Sequence, residues 1–192
     1  GEETLILRDL ATRLGKLTAA MSQGHQIIEC QGEPHLQDWQ FTKKNPLARE
    51  KREALVLVVS DYSASGADVS LPGAARDERR IAAMLAQHGF SVEQGIGPRR
   101  RELKRALASF RRRSRSSDIA VIYSTGHGIE CDGMVYLLPG DYPVHEGYNK
   151  AILRNRAVSV SRIVSAASAG VQSIVFFAGC RSCVSDTTRS CR

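Results

Sequence analysis

The pattern of apolar and polar positions divides the chain at Ala54. Before it, Leu7, Leu10, Leu14, Leu17 and Met21 recur at intervals of three and four, which is one apolar stripe on a helix that packs against a core or a partner. From Ser22 to Glu53 the periodicity fades between the breakers Gly24, Gly32, Pro34 and Pro46 and ends in the charged run Arg49-Glu50-Lys51-Arg52-Glu53. Residues 1–53 therefore read as an N-terminal helix followed by an irregular arm.

At Ala54 the character changes. Ala54 to Ser60 (ALVLVVS) is a continuous, β-branched run, the pattern of a strand buried on both faces. A helix is predicted from Ala74 to His88, with Ile81, Met84, Leu85 and His88 on one side and Gly89 as its stop. Phe90 to Gln94 makes a second short strand. Pro98 opens another helix, whose Leu103, Leu107 and Phe110 form the apolar side and whose end is Arg111-Arg112-Arg113. Asp118 to Thr125 is a third strand, and Ile129 to Leu138 alternates loosely around Asp132-Gly133, a dipeptide suited to a tight hairpin turn. After an open loop, a helix is predicted from Ser159 to Ala169 with Gly170 as its stop. Val171 to Phe177 is the fourth apolar strand and runs into Ala178-Gly179-Cys180. This alternation predicts an α/β domain over residues 54–192, with a mostly parallel sheet and helices on both faces.

Composition narrows the function classes. A length of 192 residues suits one domain with an extension, and 42% hydrophobic with 24% charged residues describes a chain that buries a core rather than a disordered tail or a fibrous repeat. No apolar run reaches the ~18–20 residues that cross a bilayer, and no charged-then-apolar leader opens the chain, so no membrane association is expected. A net charge of +7 and a pI near 9.4 create a positive field that gathers polyanions without specifying any of them. Five cysteines (Cys30, Cys131, Cys180, Cys183 and Cys191) are too few and too unevenly spaced for a disulfide scaffold, which points to a reducing compartment and a cytoplasmic location.

In parallel sheets chemistry gathers beyond the carboxyl ends of the strands. The third strand ends in Ser124-Thr125-Gly126-His127-Gly128 and the fourth in Phe177-Ala178-Gly179-Cys180-Arg181. If these strands are neighbours, roughly 4.8 Å apart, His127 and Cys180 leave the same sheet edge side by side. An imidazole beside a thiol raises its thiolate fraction and then protonates a leaving amine, which is the layout of a cysteine hydrolase. The glycines flanking His127 allow close backbone approach to a reacting carbonyl. Either residue alone is more often structural; their joint placement is what points to catalysis.

From Ala54 to Arg181 the chain resembles the caspase-like cysteine peptidases, above all the metacaspases and their bacterial relatives. The resemblance rests on ALVLVVSDY, LPGAARDERRIAAMLAQHGFSV, DIAVIYSTGHGIECDGMVYLLPGD and VSVSRIVSAASAGVQSIVFFAGCR. It implies a caspase-haemoglobinase-like fold, His127 as general base and acid, Cys180 as nucleophile, and an oxyanion hole from Gly128 and the backbone N–H of Cys180. It places Asp77 and Thr125 at the wall of a pocket that takes Arg or Lys before the scissile bond. Caspases proper hold an aspartate with an arginine, and Ser70 and Leu71 stand in that vicinity, so preference for Asp is not expected.

Ala178 stands where the family usually carries an aspartate, which removes one carboxylate of the basic-selective pocket. Tyr142 to Arg154 lacks the aspartate cluster of calcium-responsive metacaspases, so neither calcium nor another cofactor is expected. The family's fold continues with two further strands and helices after the nucleophile. The chain is thus expected to be a large-subunit half that works with a small-subunit chain on polypeptide substrates, Ser190-Cys191-Arg192 suiting autoprocessing after arginine.

Rival readings remain open. Cys180 and Cys183 form a C-x-x-C with Cys191 nearby, a spacing that serves dithiol redox or zinc centres, although Val184 to Thr188 reads as loop. Arg99 to Arg101, Arg111 to Arg113 and Arg115 bracket one helix; the later cluster complements a helix C-terminus, few aromatics accompany it, and nucleic acid is not an expected partner. The non-enzymatic alternative is a catalytically silent caspase-like scaffold that binds a partner through the first helix.

Overall fold

The computed structural model describes residues 5–6, 12, 40–41, 50–65, 70–179 and 182–183. The apolar stripe from Leu7 to Met21, together with Cys30, Cys180, Arg181 and Cys191, lies outside the described residues. The chain divides into two compact units, one of Gly1–Arg49 and Gln87–Gly89, the other of Glu50–Ala86 and Phe90–Arg192. In the first, Leu5–Ile6 (β1) pairs antiparallel with Gln40–Phe41 (β2). The arm expected to be irregular thus contains a strand. Its partner lies far away in sequence, so no local period announces it.

The second unit is built on a four-stranded parallel sheet of Arg52–Val58 (β3), Ser91–Glu93 (β4), Ile119–Thr125 (β5) and Gln172–Phe177 (β9), in the order β4-β3-β5-β9. Helix Pro72–Gln87 (α1) connects β3 to β4, and Arg100–Ser114 (α2) connects β4 to β5. The chain moves outward from β3 to β4 and then back past β3 to β5. With right-handed crossovers, that reversal carries α1 and α2 to opposite faces. One face presents Leu55, Leu57, Ala120 and Ile122 to Leu103, Ala106, Leu107 and Phe110 of α2, all buried in a single cluster. The register pairs Leu55 with Ile122 and Val56 with Tyr123, so Ala54, Val56, Val121 and Tyr123 belong to the other face. Continuous apolar runs, rather than alternating ones, follow directly from burial on both faces.

Between β5 and β9 the chain forms a second sheet. Gly128–Cys131 (β6) and Met134–Leu137 (β7) make the expected hairpin, with Asp132 and Gly133 both at positive φ, 51° and 71°, as a tight primed turn requires. Val158–Ser159 (β8) joins β7 antiparallel, and Ser182–Cys183 (β10) joins β6 parallel.

Two expectations are corrected here. The open loop after the hairpin contains a helix, Lys150–Arg156 (α3), started by the Asn149 side chain, which accepts the Ile152 N–H. The helix expected from Ser159 to Ala169 is confined to Val160–Val164 (α4). Ser159 caps it, but the amides beyond it find partners elsewhere: Ser168 N–H donates to Ser114 Oγ, Ala169 N–H to Ser173 Oγ and Gly170 N–H to the Ser117 carbonyl. Tertiary acceptors end the helix well before its glycine.

Candidate active site

The strand order reverses between β3 and β5, which opens a crevice beyond their carboxyl ends. β5 delivers Gly126 and His127 to it, and β3 delivers Tyr62 through the short link Val59-Ser60-Asp61. Val59 N–H donates to the Thr125 carbonyl at 3.0 Å, which extends the β3–β5 ladder to the last residue of the strand. His127 N–H then donates to the Tyr62 hydroxyl at 2.7 Å, and that hydroxyl donates to the Leu138 carbonyl at 3.1 Å. Leu138 N–H returns a bond of 2.8 Å to the His127 carbonyl. The backbone of His127 is therefore held at both its N–H and its C=O. Its half-buried imidazole lies against the Tyr62 ring, with centroids 4.6 Å apart and planes inclined by 58°.

Gly126 is dictated by this packing. Its φ is +152°, and a Cβ there would sit 2.8 Å from Leu137 Cδ1 and 2.9 Å from the Tyr62 hydroxyl. Across the sheet, β9 runs parallel to β5, and the ladder continues with Ala178 N–H donating to the Ser124 carbonyl at 2.8 Å. Thr125 Oγ1 donates back to the Ala178 carbonyl at 2.9 Å. A Cβ on Gly179 would stand 2.5 Å from the Phe177 ring of its own strand and 3.1 Å from the Gly126 carbonyl, so Gly179 passes close beside the Gly126 segment and its own neighbour leaves no room for a side chain there. Farther on, Ser182 pairs with Ile129 and Cys183 with Glu130.

The expectation that the third and fourth strands adjoin is met. Residues 178–179 and 182–183, which bracket Cys180, run beside residues 124–126 and 129–130, which bracket His127. Cys180 itself lies outside the described residues. Gly128 is buried at the start of β6, opposite Leu137.

Asp77 on α1 and Thr125 on β5 converge on a residue that sequence reading passed over. The phenol of Tyr123 is pushed up to about 12, first by burial and then by the negative charge of Asp77, against a side-chain interaction with Thr125 that lowers it. Tyr123 and Thr125 share the α1 face of the sheet. The Ser70 hydroxyl accepts the Tyr62 N–H at 3.3 Å, near the base of the same crevice. Tyr62 was equally invisible in the sequence, its only signal being a lone aromatic just past a buried strand. Among the described residues, no three His, Cys, Asp or Glu side chains are grouped to hold a metal ion, and no helix is long and apolar enough to cross a membrane.

Residues 51–189 match the peptidase C14 caspase domain. The chain belongs to the caspase-domain family of cysteine peptidases. A search among curated proteins found no match. The parallel sheet flanked by helices is the caspase-like fold. Within this caspase domain, the histidine-bearing turn is held rigid from three sides by Tyr62, Val59 and Leu138.

Proposed function

We propose that this caspase domain is a metacaspase-type cysteine endopeptidase in which His127 and Cys180 form the catalytic dyad. The observation that carries the reading is the adjacency of β5 and β9, whose continuations bracket both residues on neighbouring tracks. The His127 imidazole takes the proton of the Cys180 thiol, and the thiolate adds to the carbonyl carbon of the scissile peptide. Gly128 and the N–H of Cys180 stabilise the oxyanion. His127 then protonates the departing amine, the acyl-enzyme forms, and His127 takes a proton from the water that hydrolyses it. Rigid attachment of the His127 backbone supports this role, because a base that must both accept and return a proton gains from fixed geometry.

For specificity we assign the Asp77 carboxylate, on the face shared by Tyr123 and Thr125, to the side chain of Arg or Lys before the cleaved bond. Ala178 contributes no second carboxylate, so the preference for a cation rests on Asp77. On its free side β9 pairs with no strand among the described residues, and its Ile174, Val175, Phe176 and Phe177, which alternate between the two faces, are only half-buried. That edge supports a small-subunit strand as partner. A thiolate nucleophile also belongs in a reducing compartment, in keeping with a cytoplasmic location.

The test is hydrolysis of fluorogenic peptides that differ only in Arg, Lys or Asp before the reporter, with the small-subunit segment supplied. Turnover of the Arg and Lys peptides, lost in both His127→Ala and Cys180→Ala, is the expected result. Covalent labelling of Cys180 by an electrophilic probe regardless of His127 would remove the dyad. Cleavage of the Asp peptide alone would remove the specificity, and the absence of any labelling or turnover would leave the scaffold reading.

A further inference from the structure

Helix α2 carries two arginine clusters in different surroundings, and in the N-terminal one only Arg100 makes a side-chain hydrogen bond among the described residues, from Nε to the Ala157 carbonyl at 3.4 Å. At its C-terminal end, where the macrodipole favours cations, Arg113 is paired with both Glu53 and Glu93 and stacks on Phe110. Its N-terminal half carries Arg100 and Lys104 beside the buried Leu103 and Leu107, and Arg101 and Arg105 on the exposed side, at the end where the dipole disfavours positive charge. These four, with Asp141 and Arg156, line a cleft of about 550 Å³.

Five cations therefore face one carboxylate, and Asp141 Oδ1 is already engaged, accepting the Arg100 backbone N–H at 2.9 Å. The carboxylate nearest Arg156 is Glu146, at 3.7 Å. Among the described residues, no carboxylate comes within 4 Å of the side-chain nitrogens of Arg101, Lys104, Arg105 or the neighbouring Arg162. The repulsion is felt: Lys104 is held below its ordinary pKa by burial and then by Arg100 and Arg162, and Arg100 by burial and then by Arg162 and Arg156, with Asp141 opposing. An assembly drawn from α2, α3 and α4 that raises its own electrostatic energy is explained by an anion that relieves it.

We propose that this cleft is a binding site for a compact oligophosphate, an anion with three or more phosphates in close succession. Guanidinium forks match phosphate oxygens two at a time, and several of them converge here. A compact ligand is favoured over a nucleic-acid duplex: Arg156 of α3 joins the four cations of α2 around one open cleft of limited volume, and no aromatic side chain lines it for base stacking. The site is separate from the His127 crevice, so its test does not depend on peptidase activity.

Calorimetric titration of the full chain with inorganic tripolyphosphate is the experiment, with orthophosphate, ATP and a short DNA duplex as parallel arms. The expected result is saturable one-to-one binding of tripolyphosphate, at least about tenfold tighter than orthophosphate and weakening with salt. Lys104→Gln with Arg105→Gln should weaken it about tenfold or more. Arg111→Gln with Arg112→Gln, exposed at the far end of the same helix, should leave it within about twofold. Equal binding of ATP and tripolyphosphate identifies a free oligophosphate as ligand; tighter ATP identifies a nucleoside triphosphate, and either supports the site. Equal losses in both double variants would reduce the effect to diffuse charge and overturn the proposal. Tighter binding of the duplex per phosphate would overturn it in favour of nucleic acid. If the double variant melts early, Arg105→Gln alone, at an exposed position, replaces it in the same comparison.

Discussion

The hydroxyl of Tyr62 joins β3, the histidine turn and the segment after β7 at one point. It accepts from His127 N–H and donates to the Leu138 carbonyl, so Tyr62→Phe leaves two backbone groups without that partner. An unmet buried polar group costs about 1–3 kcal/mol, and urea denaturation of Tyr62→Phe should show a loss of at least about 2 kcal/mol. Gly126→Ala should be as damaging or worse, because the new methyl meets Leu137 and Tyr62 at a backbone angle that L residues rarely adopt. Ser124 predicts the opposite sign. Its Oγ is buried without a hydrogen-bond partner among the described residues, so Ser124→Ala should leave stability unchanged or raise it by up to about 1 kcal/mol in the same assay. Two phenols have a pH signature. Tyr123 and Tyr142 are both pushed up to about 12, chiefly by burial, and then by Asp77 for Tyr123 and by Tyr148 and Glu146 for Tyr142. A raised folded-state value means that their contribution to stability is complete below the ordinary tyrosine range, near 10, and is lost as pH rises toward 12. Phenolate absorbance should reveal two late-titrating tyrosines; Tyr123→Phe and Tyr142→Phe should each remove one, and Asp77→Asn should bring the Tyr123 step to lower pH.

Among the elements, α2 and α4 illustrate opposite relations between pattern and outcome. In α2 the Glu102 carboxylate accepts the Arg99 N–H at 3.0 Å, and the apolar side predicted by Leu103, Leu107 and Phe110 is the side that is buried. Phe110→Ala should therefore cost about 3–5 kcal/mol, read from chemical denaturation. In α4 the local pattern Ser159-Val160-Ser161-Arg162-Ile163-Val164 starts a helix, yet Ser114 on α2 stops it by donating to the Ala166 carbonyl at 3.0 Å and accepting from Ser168 N–H at 3.2 Å. Ser114→Ala should speed hydrogen exchange at Ser168 and lower stability by about 1–3 kcal/mol. That stop was illegible in the sequence because its cause is some 50 residues away. Helix α3 was missed for a different reason. Its seven residues bury only Leu153, too few for a period to emerge, although Asn149 three residues ahead of Ile152 was a capping signal that could have been read.

At the scale of the domain, the sheet order is what makes a site out of separate segments. Strand β3 sits between β4 and β5, so the reversal of the chain opens a crevice at the ends of β3 and β5, and β9 lands on the far side of β5. Gly179 then passes close beside Gly126. The same reversal sends α1, carrying Asp77, to the face that Tyr123 and Thr125 share, and α2, carrying the basic cleft, to the opposite one. The substrate pocket and the oligophosphate site proposed above lie on opposite faces of one sheet and can therefore be altered separately. Asp77→Asn should lower kcat/KM for an Arg peptide by about tenfold or more while leaving tripolyphosphate affinity unchanged.

The residues by themselves determined the class of the fold and pointed to the family to which the chain belongs. Short, β-branched, continuous apolar runs point to strands covered on both sides, and helices between them point to parallel alignment. The glycines on both sides of His127 were evident as positions where a backbone can come close to something. What that something was, only the tertiary structure decided: the Tyr62 hydroxyl under His127, the Tyr123 phenol between Asp77 and Thr125, the early end of α4, and the gathering of Arg100, Lys104 and Arg156 from two helices around one cleft. Each depends on a contact between residues distant in sequence, and local periodicity carries no record of which face of one element will meet which face of another.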